Sequence, residues 1–129
     1  MNNIDKDILR VLAHYPQLRL AILFGSVATG SATYNSDIDL GLLADKPLSA
    51  ELKLDLMQQL GVACGRPVDI VDLRTAGEPI LGEVLKGRRL LGDSTTYAQL
   101  LSRHLIDAAD FLPLQRRILA ERREAWMRS

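Results

Sequence analysis

Apolar runs of strand length alternate with amphipathic stretches along the chain. Residues 18–24, 38–44 and 66–73 are mostly apolar and are bounded by turn-forming residues, a pattern that predicts strands buried in a sheet. Residues 3–14, 49–60 and 79–86 repeat apolar side chains every three or four positions, which predicts helices. With a short edge strand at 88–91, the pattern predicts an α/β (α+β) fold: a small mixed β-sheet with helices packed on one face.

The last part of the chain predicts a helical extension. From residue 94 to residue 129 apolar side chains recur at threes and fours, and Pro113 should kink or divide this helix. We therefore expect a core domain at residues 1–92 and a C-terminal helical extension at 93–129. Two roles stay open for the extension, since it can cover the sheet or dock a partner protein.

Composition and charge narrow the class of protein. The 129 residues suit one domain, and 16 Lys plus Arg balance 16 Asp plus Glu, so no overall positive field draws the chain to nucleic acid or an anionic membrane. The tail arginines alternate with glutamates, so direct nucleic-acid binding is not expected. There is one cysteine, no signal-peptide pattern and no apolar run of the roughly 18 residues that a membrane helix needs. We expect a cytoplasmic protein.

The stretch from residue 25 to residue 40 carries the candidate chemistry. Gly25 and Ser26 follow the first strand directly, where backbone amides and a hydroxyl can meet phosphate oxygens. Asp37 and Asp39 stand two apart at the start of the second strand and therefore share a face. These acids can cap a turn or form surface ion pairs, but Asp39 lies among apolar residues, where an unpaired carboxylate is costly. The pattern favours Mg²⁺, which binds one or two carboxylates together with phosphate oxygens.

A third acid on the next predicted strand can complete this site. Asp69 lies between Val68 and Ile70, and it can act as a base for an attacking hydroxyl or as a further metal ligand. Asp72 is an odd number of residues away and should face the other side of a regular strand. We therefore predict that Asp69, rather than Asp72, belongs to the site.

Together these motifs resemble the signature of the DNA polymerase beta type nucleotidyltransferases, whose smallest members are the minimal nucleotidyltransferases. The resemblance rests on Gly25-Ser26, ten intervening residues, Asp37-Ile38-Asp39-Leu40 and the later Val68-Asp69-Ile70. It implies the polymerase-beta-like nucleotidyltransferase fold, with ATP as substrate and two Mg²⁺ ions as cofactors. It also implies site residues: Asp37, Asp39 and Asp69 as catalytic residues and metal ligands, and Gly25, Ser26, Thr29, Gly30 and Ser36 at the nucleotide.

One position departs from a common form of the motif. That form has arginine between the alanine and the second glycine, whereas this chain has Thr29 between Ala28 and Gly30. The change removes a positive charge near the phosphates, so we expect it to affect rate or nucleotide affinity rather than metal binding.

The resemblance also implies a function. Many minimal nucleotidyltransferases are antitoxins that transfer AMP from ATP to a tyrosine hydroxyl of a cognate HEPN ribonuclease toxin and so neutralise it. A HEPN toxin is therefore the expected partner, in a hetero-oligomer. Two alternatives stay open: a non-catalytic antitoxin that binds and occludes its partner, and a nucleotidyltransferase that acts on a small-molecule hydroxyl.

Overall fold

The computed structural model describes residues 3–30 and 36–109. In this part of the chain the strands are β1 (Leu18–Phe24), β2 (Ile38–Ala44), β3 (Val68–Asp72) and β4 (Arg88–Leu91). The helices are α1 (Asn3–Leu12), α2 (Gly25–Thr29), α3 (Ala50–Cys64) and α4 (Ile80–Leu85), and residues 94–109 form a further helix, α5. The predicted α/β class is confirmed, and each predicted strand is present.

The four strands form one mixed sheet in the order β3-β2-β1-β4. The central strand β1 pairs antiparallel with both β2 and β4, whereas β2 and β3 are parallel. Parallel neighbours need a crossover connection, and α3 supplies it. Because β2 and β3 are parallel, the N-terminal ends of both strands lie at the same edge of the sheet. That edge also receives the C-terminal end of β1.

Helices cover both faces of this sheet. On one face α1 and α3 bury a cluster that includes Ile8, Leu56 and Leu60. On the other face Leu81 and Val84 of α4 and Leu100 of α5 pack on Leu20 and Ile22 of β1. The prediction that the helices pack on one face only is therefore wrong. The reason lies in β1, whose side chains are apolar on both sides and so require cover on both.

Local signals fix the ends of α3. The Ser49 hydroxyl accepts a hydrogen bond from the Leu52 amide at 3.1 Å, which satisfies a free amide of the first turn. Gly65 ends the helix in the left-handed conformation, with φ +67°. The helix predicted at 49–60 is present, and it extends to Cys64.

α5 joins the core through an aromatic and an arginine side chain. The Tyr97 hydroxyl donates to the Leu85 carbonyl at 3.0 Å. The Arg103 guanidinium donates to the carbonyls of Leu73 at 2.7 Å and Ala76 at 3.0 Å, in the turn after β3. The predicted break at Pro113 and the helix beyond it lie outside the described residues. Within residues 3–30 and 36–109, no helix is both long and apolar enough to cross a membrane.

Candidate active site

β1 runs directly into α2 at Gly25. α2 begins at Gly25, because a φ of +76° turns the chain at that residue. A Cβ built at Gly25 would collide with the carboxylate of Asp39. The glycine backbone is therefore packed against one of the candidate acids, and the partly buried Ser26 follows at once.

The acids meet across β2 and β3. The parallel register pairs Asp39 with Asp69, while the antiparallel register pairs Asp39 with Phe24, the residue before Gly25. Asp37 is exposed and lies just before β2. Burial raises the pKa of the Asp39 carboxyl above its ordinary value, and the negative charges of Asp69 and then Asp37 raise it further. The structure thus brings the three acids into electrostatic contact beside Gly25.

Asp72 has a different environment. Its Oδ2 accepts a hydrogen bond from the Leu48 amide at 2.9 Å, and its Oδ1 accepts one from the Arg74 amide at 3.0 Å. In the register of the sheet it pairs with Leu42 rather than with Asp39. Asp72 therefore holds the loop before α3 and the turn after β3, while Asp69 faces the site.

The other residues expected at the nucleotide lie around the end of α2 and before β2. The Thr29 hydroxyl donates to the carbonyl of Ser26 at 3.2 Å, inside the helix. Gly30 ends α2 with φ +77°, and Ser36 is partly buried directly before Asp37. Residues 31–35, between Gly30 and Ser36, lie outside the described part of the chain.

A cleft of about 590 Å³ opens on the side of Gly25 and Ser26 away from the three candidate acids, Asp37, Asp39 and Asp69. Sequence reasoning missed its cations, Lys86 and Arg88, because nothing local in the sequence shows that β4 pairs with β1. The cluster of basic residues around Gly87 was the one available signal. The cleft is lined by Phe24, Gly25, Ser26, Ala28, Thr29, Glu83, Lys86, Gly87 and Arg88.

The candidate acids fit a metal ion that binds together with a phosphate-containing substrate. Among the described residues, no group of three or more His, Cys, Asp or Glu side chains could hold a metal ion unaided. Asp39 and Asp69 nevertheless offer hard oxygen ligands on neighbouring strands, and Mg²⁺ commonly takes one or two such carboxylates and completes its shell with phosphate oxygens and water. The donor set fits Mg²⁺ bound to a triphosphate.

Comparisons with known proteins show which proteins this chain is similar to. Residues 6–96 match the family described as "Polymerase beta, Nucleotidyltransferase". Protein adenylyltransferase MntA of Shewanella oneidensis is 37% identical over 91 residues, which are 70% of this chain and 66% of that relative. This chain therefore matches slightly less than two thirds of that relative's length.

Two solved complexes share the fold over almost the whole chain. One, a toxin–antitoxin with AMP-PNP, superposes with a TM-score of 0.79 at 30% identity and covers 91% of this chain and 95% of its own. The other is a tri-AMPylated Shewanella oneidensis HEPN toxin in complex with an MNT antitoxin, with a TM-score of 0.73 and 28% identity. That match covers 92% of this chain and 93% of the other.

Proposed function

This chain belongs to the polymerase beta nucleotidyltransferase family, and from that membership we propose that it is an antitoxin that adenylylates its toxin. It transfers AMP from ATP to a tyrosine hydroxyl of a cognate HEPN toxin and thereby neutralises it. The observation that carries the proposal is the pairing of Asp39 with Asp69 beside the Gly25 backbone. The similar complexes that hold AMP-PNP and an AMPylated HEPN toxin support the choice of nucleotide and partner.

The reaction is an in-line displacement at the α-phosphorus of ATP. The tyrosine oxygen forms a bond to that phosphorus, and the bond to the oxygen that bridges to the β-phosphorus breaks. Pyrophosphate leaves with the electron pair, and the tyrosine proton passes to a base. Asp69 is exposed and lies beside Asp39, so it can accept this proton or complete the metal ligands.

Asp37, Asp39 and Asp69 would hold Mg²⁺. When bound, Mg²⁺ neutralises phosphate charge and stabilises the departing pyrophosphate. The raised pKa of Asp39 supports this assignment, because partial burial and two neighbouring carboxylates disfavour its charged form and a cation would reverse that effect. Gly25 and Ser26 would present backbone amides and a hydroxyl to the phosphates, and the bound triphosphate would extend over them.

The test uses the whole chain, a candidate HEPN toxin, Mg²⁺, and ATP labelled at the α-phosphate. Label should appear on the toxin together with free pyrophosphate, whereas ATP labelled at the γ-phosphate should leave none. Asp39→Asn should lower transfer by more than about 100-fold, since it removes a charge from the metal ligands. Asp45→Asn is the matched control, because Asp45 is exposed and pairs with Arg19 at the other end of β2.

The alternatives give different results in the same experiment. An Asp39→Asn variant that neutralises the toxin fully, in a system where the parent chain labels no toxin, identifies a binding antitoxin that works by occlusion. If the label passes only to the hydroxyl of an added small molecule, the chain is a nucleotidyltransferase that acts on small molecules. Either result overturns the proposed adenylylation of the toxin.

A further inference from the structure

The cleft described above lies on the opposite side of Gly25 from the acids. Strand β1, which leads into Gly25, sits between β2 and β4 in the sheet. Asp39 and Asp69 lie on the β2 and β3 side, whereas the turn from α4 into β4 forms the wall on the other side. A phosphate chain that crosses Gly25 and Ser26 therefore has carboxylates at one end and the α4–β4 turn at the other.

The pairing of β1 with β4 sets the position of Lys86. Leu23 pairs with Arg88 in antiparallel register, so continuing that register by two residues brings Lys86 level with Gly25. Gly87 makes this close approach possible. A Cβ there would collide with the Leu23 carbonyl and lie 2.9 Å from the Cβ of Phe24. The turn is therefore pressed against the end of β1.

Arg88 is fixed in place by two contacts. Its Nη2 donates to Oδ1 of Asp5 at 2.8 Å, and the Asp5 side chain is only 7% exposed. Its Nη1 donates to the Ala28 carbonyl of α2 at 3.4 Å. The guanidinium thus ties the cleft wall to α1 and to the helix that carries Ser26.

Lys86 is available for a ligand. It forms an ion pair with Glu83 at 3.2 Å, but the two side chains are 76% and 64% exposed, and such surface pairs contribute only about 0 to 1 kcal/mol. A polyphosphate carries more negative charge than one carboxylate and would displace Glu83. α2 itself carries no basic residue, so among the described residues the positive charge along this cleft comes from Lys86 and Arg88.

We propose that Lys86 and Arg88 bind the β- and γ-phosphates of the nucleotide, and later the pyrophosphate product, on the side of Gly25 opposite the acids. The inference rests on the proposed function, because it takes a nucleoside triphosphate as the ligand. Lys86 makes the exchangeable contact. Arg88, held by Asp5, supplies the fixed one.

The experiment measures binding of AMP-PNP, AMP and pyrophosphate, each with Mg²⁺, to the full chain by calorimetry. Lys86→Gln should weaken AMP-PNP and pyrophosphate about tenfold, the loss expected for a charged hydrogen bond. AMP, which lacks both terminal phosphates, should bind as before. Lys86→Arg should restore the affinity for AMP-PNP. Lys46→Gln, which removes an exposed lysine from the turn after β2, is the matched control.

Arg88 has to be replaced together with Asp5, because replacing Arg88 alone would leave the buried Asp5 carboxylate without its ion-pair partner. In Asp5→Asn with Arg88→Gln, two amides can keep the hydrogen bond without either charge. This double variant should also bind AMP-PNP about tenfold more weakly while AMP is unaffected. Circular dichroism and a melting curve establish whether this double variant is folded. If it is not, the comparison of Lys86→Gln with Lys46→Gln decides the proposal.

Three results would overturn the inference. In the first, the Lys86→Gln and Lys46→Gln variants bind AMP-PNP with equal affinity. In the second, Lys86→Gln weakens the binding of AMP as much as it weakens the binding of AMP-PNP. If the parent chain adenylates the toxin in either case, the proposed function stands and only this subsite fails. If the parent chain binds no nucleotide at all, both proposals fail together.

Discussion

Replacing Gly25 by alanine separates the conformation of the site from the stability of the fold. Gly25 has φ +76°, and an alanine Cβ there would collide with the Asp39 carboxylate. The left-handed backbone costs an alanine about 1 to 2 kcal/mol. The collision itself adds little to this energy, because the contacting atom is the end of a rotatable side chain. Rotation of that carboxylate should instead disrupt the proposed Mg²⁺ site.

The expected result is thus a modest loss of stability with a large loss of activity. Disturbing the groups that orient metal ligands typically lowers affinity or activity about 10- to 100-fold, and Gly25→Ala should fall in that range for transfer of labelled AMP to the toxin. Denaturant unfolding gives the free energy of unfolding of each variant, and the transfer rate gives its activity.

Gly65→Ala is the control for backbone strain. Gly65 has φ +67°, and nothing lies within 4 Å of a Cβ built there, so this variant should lose the same stability and keep its transfer rate. If Gly25→Ala transfers AMP as fast as Gly65→Ala does, the packing of Gly25 on Asp39 has no part in catalysis.

Two other contacts lead to predictions: the ion pair of Asp5 with Arg88 concerns stability, and the hydrogen bond of Tyr15 to Asp55 concerns ionisation. Asp5→Ala should lower the free energy of unfolding by about 2 kcal/mol, because it leaves Arg88 without its buried partner. Asp7→Ala, on the same helix but in a surface pair, should change it by less than about 0.5 kcal/mol; equal losses in denaturant unfolding would contradict the reasoning. The hydrogen bond to Asp55 raises the pKa of Tyr15 to about 12 from 10.0, so its stabilisation should be complete below pH 10 and be lost as the pH rises towards 12. An ultraviolet titration, compared with that of Tyr15→Phe, should show this tyrosine ionising near pH 12, and Asp55→Asn should return its pKa towards 10; an unchanged titration would refute the assignment.

Sequence periodicity predicted the strands because the residues of each buried strand form one mostly apolar run. It also predicted that Asp69 and Asp72 differ in environment, since alternation of side chains across a strand is a local property, and in the sheet Asp69 pairs with Asp39 whereas Asp72 pairs with Leu42. The family and its fold, expected from Gly25-Ser26 and the Asp37-x-Asp39 spacing, are confirmed by the match over residues 6–96. The roles of the individual site residues stay predictions.

What the sequence did not show depends on pairings between distant segments. β4 lies beside β1 although more than 60 residues separate Arg88 from Leu23, and periodicity does not report strand order. The cleft cations and the close approach of Gly87 follow from that pairing, so they were missed. For the same reason the sequence left open whether the C-terminal extension covers the sheet, and it did not show that α4 and α5 pack on the face opposite α1 and α3, since an apolar helix stripe does not say which face of a sheet it meets.

The arginine that joins α5 to the turn after β3 has a consequence for amide hydrogen exchange. Arg103 holds the carbonyls of Leu73, Arg74 and Ala76, and Leu100 lies in the same core cluster as Leu73. Fraying of α5 would release these carbonyls and uncover Leu73 in one step. The amides of α5 and of residues 73–76 should therefore exchange as one cooperative unit, with a shared opening free energy.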